Sequence, residues 1–142
     1  MVWSYNYIDH TADIAAEITG STPEELVLGA FALLKNILIE GDIKSFEKRK
    51  IELKASSLEE IIVDVLSELN YLALVKRWVF NEITDISIKK SKDTWEVFLD
   101  VKGEIFNSAK HILKEEVKAI TYHNLNIKIE DNIYKTSIYF DV

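Results

Sequence analysis

Two capping boxes constrain this chain more than any other feature. In Thr22-Pro23-Glu24-Glu25 the threonine can cap, the proline suits the first helical position, and Glu25 can reach back to an unpaired amide. Ser57-Leu58-Glu59-Glu60 repeats the device further along. Behind the first box Leu26, Ala30, Leu33, Leu34, Ile37 and Leu38 recur at helical spacing, and Gly41 is expected to end that helix. Behind the second, Ile61, Ile62, Val65, Leu66, Leu69 and Leu72 form a wide apolar stripe. This helix is expected to run to about Lys76, with Lys76 and Arg77 set against the negative end of its dipole.

Strands surround both helices. Aromatics alternate with small polar residues from Trp3 to Ile8, and a turn follows at Asp9-His10-Thr11-Ala12. Ile14, Ala16 and Ile18 then alternate with Asp13, Glu17 and Thr19, which places Asp13 in the polar phase at the start of a second strand. A strand is expected near Lys50–Lys54, and others around Ile86 and Ile88, from Trp95 to Val101, and through Leu125, Ile127 and Ile129. Ser91-Lys92-Asp93 and Glu130-Asp131-Asn132 read as turns. The last strand places Tyr134, Thr136, Ile138, Phe140 and Val142 on one face, with Ile133, Lys135, Ser137, Tyr139 and Asp141 on the other. Segment Gly103–Glu116 reads as a loop with a short helical piece. Two capped helices amid strands predict an α+β class, the helices packed on a largely antiparallel sheet. At 142 residues the chain suits one domain, 1–142.

Composition narrows the function. No cysteine is present, which excludes disulfides, thiolate metal sites and cysteine nucleophiles. The formal net charge of −7 disfavours tight RNA binding, because such affinity comes largely from neutralising phosphates. Glycines stand only at 20, 29, 41 and 103, so no phosphate-cradling or dinucleotide-binding loop can form. Neither a G-x-S-x-G elbow nor an H-E-x-x-H helix occurs. The N-terminus has no basic, apolar leader and no apolar run approaches a membrane span, so a cytoplasmic protein is the expectation.

Three polar groups remain as candidates. Asp9, His10 and Asp13 share one strand-to-strand turn; they suit a metal or acid–base work, or a turn whose side chains bond local backbone amides. Asp141 beside the α-carboxylate of Val142 offers adjacent oxygens to a hard cation, the alternative being a frayed terminus. Lys118 can meet phosphate or an acidic partner, or be a solvated surface lysine; His111 and His123 are expected to be structural.

Taken together, the segments carry a resemblance that runs from end to end. Tyr7-Ile8-Asp9-His10-Thr11-Ala12-Asp13-Ile14 resembles the N-terminal signature of the archease family. Leu66-Ser67-Glu68-Leu69-Asn70-Tyr71-Leu72 is similar to its second helix, Glu116–His123 to its third signature, and Asp141-Val142 to its ending. Asn124 and Ser67 depart mildly from the family pattern. The resemblance implies a strand-helix-strand-strand module with a second, similar module inserted at roughly 45–105. It also implies an accessory protein, not itself a catalyst, that activates the GTP-dependent RtcB-type ligase of tRNA splicing by promoting its guanylylation and turnover. The partner is then the ligase, with tRNA met only through it and no membrane involved. The implied metal site is Asp13, Asp141 and the carboxylate of Val142, with calcium foremost and magnesium or manganese as alternatives. Asp9, His10, Glu68, Lys118 and His123 are signature residues whose roles the resemblance leaves open. Two rival classes stand beside it: a metal-dependent phosphoesterase using Asp13 and Asp141 with His10 as base, and an RNA-binding or chaperone-like module.

Overall fold

The computed structural model describes residues 2–8, 13–121 and 125–142. Both helices start where the capping boxes place them. Helix α1 spans Pro23–Leu38 and α2 spans Leu58–Leu74. Thr22 Oγ1 accepts from the Glu25 amide at 3.1 Å, and Ser57 Oγ from the Glu60 amide at 3.1 Å. The two glutamates reach one residue further back than a standard box requires. Glu25 accepts from the backbone and hydroxyl of Ser21, and Glu60 from those of Ser56. Each thereby ties the helix start to the chain that precedes the cap.

The helix ends differ from expectation. Helix α1 stops at Leu38 because the chain continues directly into strand β3, Ile39–Gly41, and Ile39 N–H donates to Lys35 O. Gly41 therefore ends a strand, at φ 121°, a left-handed value that favours glycine; an added Cβ would also lie 2.1 Å from Lys110 O. Helix α2 ends before Lys76 and Arg77, which lie beyond its last turn, and the chain reverses at Arg77 with φ 56°.

Every strand pairing described is antiparallel. Strands β1 (Trp3–Ile8), β2 (Ile14–Gly20), β10 (Ile133–Asp141) and β8 (Ala119–Thr121) form one sheet in the order β1-β2-β10-β8, with β9 (Lys128–Glu130) also paired to β10. A second sheet, β4-β6-β5, comprises β4 (Glu47–Ala55), β5 (Trp78–Ser91) and β6 (Thr94–Ile105). A short ribbon joins β3 to β7, His111–Leu113. The expected loop with a helical piece is instead the end of β6, a turn and β7. The strand expected through Leu125 shortens to β9, and Asp131 and Asn132 make the hairpin turn with φ of 51° and 63°.

Helix α1 packs on β1 and β2 and also reaches β5, while α2 packs on β4, β5, β6 and β8; the helices touch each other. Leu26, Leu33, Leu34, Ile61, Leu66 and Leu69 are fully enclosed in the shared core, with Ile18, Ile138 and Phe140 from the first sheet and Val97 and Val101 from the second. Phe31 of α1 meets Phe80 of β5 with ring centres 5.2 Å apart. Burial of this apolar surface is the main stabilising term. Gly103 on β6 allows the closest strand approach, since an added Cβ would lie 2.0 Å from Val79 O.

A buried polar pair, Glu104 and His111, joins the end of β6 to the start of β7. Glu104 accepts from Lys110 Nζ at 2.8 Å and from the Lys44 amide at 2.6 Å. His111 Nδ1 accepts from the Asn107 amide, so the ring proton sits on Nε2, which faces Glu104 Oε2 and Asp42 O, each at 3.1 Å. Lys110 above all, then the Lys44 amide, holds the Glu104 carboxyl down to about 2. The structural role expected of His111 is what the packing supports: it joins the β3–β7 ribbon to β6.

Candidate functional site

The site is built at one end of β10. Along this strand Thr136, Ile138 and Phe140 are buried, so the alternating residues Lys135, Ser137, Tyr139 and Asp141 take the outer face. On β2 the buried Ala16 and Ile18 leave Glu17 and Thr19 on the other face, and Asp13 shares their phase with Ala15, which is itself buried. The β2–β10 ladder ends with Phe140 opposite Ile14. Asp141 and Asp13 are the next residues outward on the two chains. Directly opposed residues of an antiparallel pair point to the same face, so continuing the ladder by one residue would bring the two carboxylates to one strand end.

The other side of β10 brings in the third segment. Asp141 is opposite Ala119 of β8, and Lys118 N–H donates to Asp141 O at 2.7 Å. That places Lys118, exposed, at the same strand end as Asp13 and Asp141. Val142 packs partly against the core, so the chain beyond Asp141 is held against the fold. Residues widely separated in sequence thus converge because β10 is central, flanked by β2 on one side and β8 on the other.

Helix α2 supports this corner from beneath. Asn70 is half-buried, and its Nδ2 donates to Val117 O at 2.8 Å. Sequence reasoning assigned Asn70 no role; the available signal was an asparagine, a poor helix former, in the middle of a strongly apolar helix. Glu68 lies half-buried on the same helix, outside the ladder that joins the other residues. Asp9, His10 and His123 lie outside the described residues.

The donor set has a definite chemical character. Two carboxylates and main-chain oxygens suit a hard cation, and an adjacent lysine suits a phosphate or a partner carboxylate. Among the described residues, no group of three or more His, Asp or Glu side chains is placed to hold a metal ion. A cation at this strand end would therefore draw on Asp13, Asp141 and main-chain oxygen together. No helix among the described residues is long and apolar enough to cross a membrane.

Fold and site together define a class: an α+β domain of two helices and antiparallel sheets, with Asp13, Asp141 and Lys118 near one end of its central strand. Comparison with known proteins makes the assignment specific. The model of the Archease protein family (MTH1598/TM1083) matches residues 5–142, and the chain belongs to that family. It is 33% identical over 139 residues to protein archease of Methanosarcina barkeri, covering 97% of this chain and 95% of the relative. It is 34% identical over 128 residues to protein archease of Thermococcus kodakarensis, covering 87% of each. Among solved structures, the solution structure of Methanobacterium thermoautotrophicum protein 1598 superposes with a TM-score of 0.79 over 97% of this chain and 98% of the other; at 22% identity it speaks for the fold alone. A crystal structure of an archease from Thermotoga maritima, described as a possible chaperone, superposes with a TM-score of 0.59 at 29% identity over 95% of this chain and 94% of the other.

Proposed function

We propose that this chain is a metal-binding accessory protein that activates the GTP-dependent RtcB-type RNA ligase of tRNA splicing. The observation that carries the reading is that the β2–β10 ladder ends at Phe140 and Ile14, the neighbours of Asp141 and Asp13, while the Lys118 amide donates to Asp141 O at the same end. Asp13, Asp141 and the main-chain carboxylate of Val142 would hold a divalent cation, calcium in the first instance. Such a cation supplies positive charge against the phosphates of GTP during guanylylation of the ligase histidine. The chain's own residues bind and position: the paired carboxylates orient the cation, and Lys118 meets phosphate or an acidic patch of the ligase. The net charge of −7 fits this division of labour, because an acidic protein can manage cations at a partner's active site without competing for RNA.

The test is guanylylation of the cognate ligase, followed with radiolabelled GTP, with and without this protein. Stimulation by the wild type and by neither Asp13→Ala nor Asp141→Ala, both variants folded, is the expected result. Hydrolysis of phosphoesters by the purified chain, lost on chelation and in Asp13→Ala, would instead favour a metal-dependent phosphoesterase.

A further inference from the structure

Helix α2 and the strand end are joined through a single peptide group. Asn70 Nδ2 donates to Val117 O at 2.8 Å, and the N–H of that same peptide unit, carried by Lys118, donates to Asp141 O at 2.7 Å. Hydrogen bonds linked head to tail through one amide polarise each other, so donation to the carbonyl strengthens donation from the N–H. The receiving oxygen belongs to the peptide between Asp141, the last residue of β10, and Val142, the two proposed ligands from this end of the chain. The run therefore reads Asn70 amide, peptide 117–118, peptide 141–142.

Four features indicate that Asn70 is there for this purpose. Asparagine is unfavourable inside a helix, and the positions around it are the buried Leu66, Leu69 and Ala73. Its Oδ1 is buried with no hydrogen-bond partner among the described residues. A buried acceptor left unsatisfied is costly, so the side chain is retained against a penalty and its donor is what it contributes. Val117 is itself buried, which fixes the peptide that the amide meets. Strand β8 covers only Ala119–Thr121, so the ladder alone gives this segment little anchorage.

We infer that Asn70 is a positioning residue: through the 117–118 peptide it sets the placement of Lys118 and of the Asp141–Val142 main chain, and thereby the affinity of the strand end for its cation. The inference deepens the reading proposed above and rests on it for its functional half.

The experiment compares wild type, Asn70→Ala and Asn70→Asp in the metal-free state and with calcium. The aspartate variant keeps the volume of the side chain and loses the donor, so it is read if the alanine variant fails to fold. Hydrogen exchange of the Lys118 amide is measured against that of Val97 in the distant second sheet, which reports global stability. Losing one hydrogen bond of this kind is expected to speed Lys118 exchange relative to Val97 by roughly threefold to tenfold, and to weaken calcium binding by a similar factor in titration calorimetry. Lys118 protection unchanged relative to Val97 would overturn the inference, as would faster exchange with unaltered calcium affinity. If the wild type takes no calcium, the metal reading fails by itself. The functional half is then judged on ligase guanylylation, where stimulation by Asn70→Ala equal to wild type overturns it.

Discussion

Replacing Asp141 by asparagine tests the paired carboxylates most sharply, because its effect should change sign when calcium is added. Asp141 is exposed one residue beyond the last rung of the β2–β10 ladder, Phe140 with Ile14, and Asp13 is the residue before Ile14; one more rung would set the two opposite each other. Opposed side chains in such a ladder have Cβ atoms about 4.5–5.5 Å apart. Two unit charges at roughly that distance repel by about 1 kcal/mol under water-like screening, and by less in salt. For a 142-residue chain the unfolding entropy of roughly 0.3 kcal/mol/K converts each kcal/mol into about 3 °C of melting temperature. Without metal, Asp141→Asn should melt at the wild-type temperature or up to about 3 °C above it. With calcium about a hundredfold above its dissociation constant, the proposed site should give the wild type ~2.7 kcal/mol, or roughly 9 °C, and the variant little. Differential scanning calorimetry with and without calcium reads both arms. Equal calcium shifts for the two proteins would refute the placement of the cation at this strand end.

Other perturbations probe the frame and the remaining site residues. Gly103→Ala forces a methyl against Val79 O and should cost about 1–3 kcal/mol in denaturant melts. Leu66→Ala, which empties a fully buried position of α2, should cost about 2–5 kcal/mol in the same assay. Glu104 has a folded pKa of about 2 against an ordinary 4.5. Its ionised form therefore contributes stability fully above pH 4.5, and that contribution is lost as pH falls from there towards about 2. Urea midpoints should drop through this window in the wild type, with a shallower fall in Glu104→Gln. Lys118→Ala should shift stability by no more than about 0.5 kcal/mol yet reduce stimulation of ligase guanylylation. A C-terminal extension should weaken calcium binding while an N-terminal tag leaves it unchanged, and equal affinities would remove Val142 from the site.

The helices and the phase of the site were legible because both follow from short-range rules. Capping boxes place Thr22 and Ser57, and strict alternation puts Asp13 and Asp141 on the polar side of their strands before any pairing is known. Pairing itself supplied the rest: only the β2–β10 ladder brings the strand ends that carry those two residues together. Strand β5 was only half legible. Its first residues, Trp78, Val79 and Phe80, are all buried and show no alternation, and register shifts between Phe80 and Glu82 and between Ile83 and Asp85 break the period. Strand β7 spans three residues, too few for a pattern, and the Glu104–His111 contact depends on packing between β6 and the ribbon. The Asn70–Val117 link was hidden for the same reason, since nothing local ties a mid-helix amide to a carbonyl beyond the second sheet.

The most direct test of the functional account is multiple-turnover guanylylation and joining by the cognate RNA ligase, measured with wild-type protein, Asp13→Ala, Asp141→Ala and no addition. The wild type is expected to raise turnover, and the two folded variants to leave the ligase at its unassisted rate. A ligase whose turnover is the same with and without the wild-type protein would contradict it.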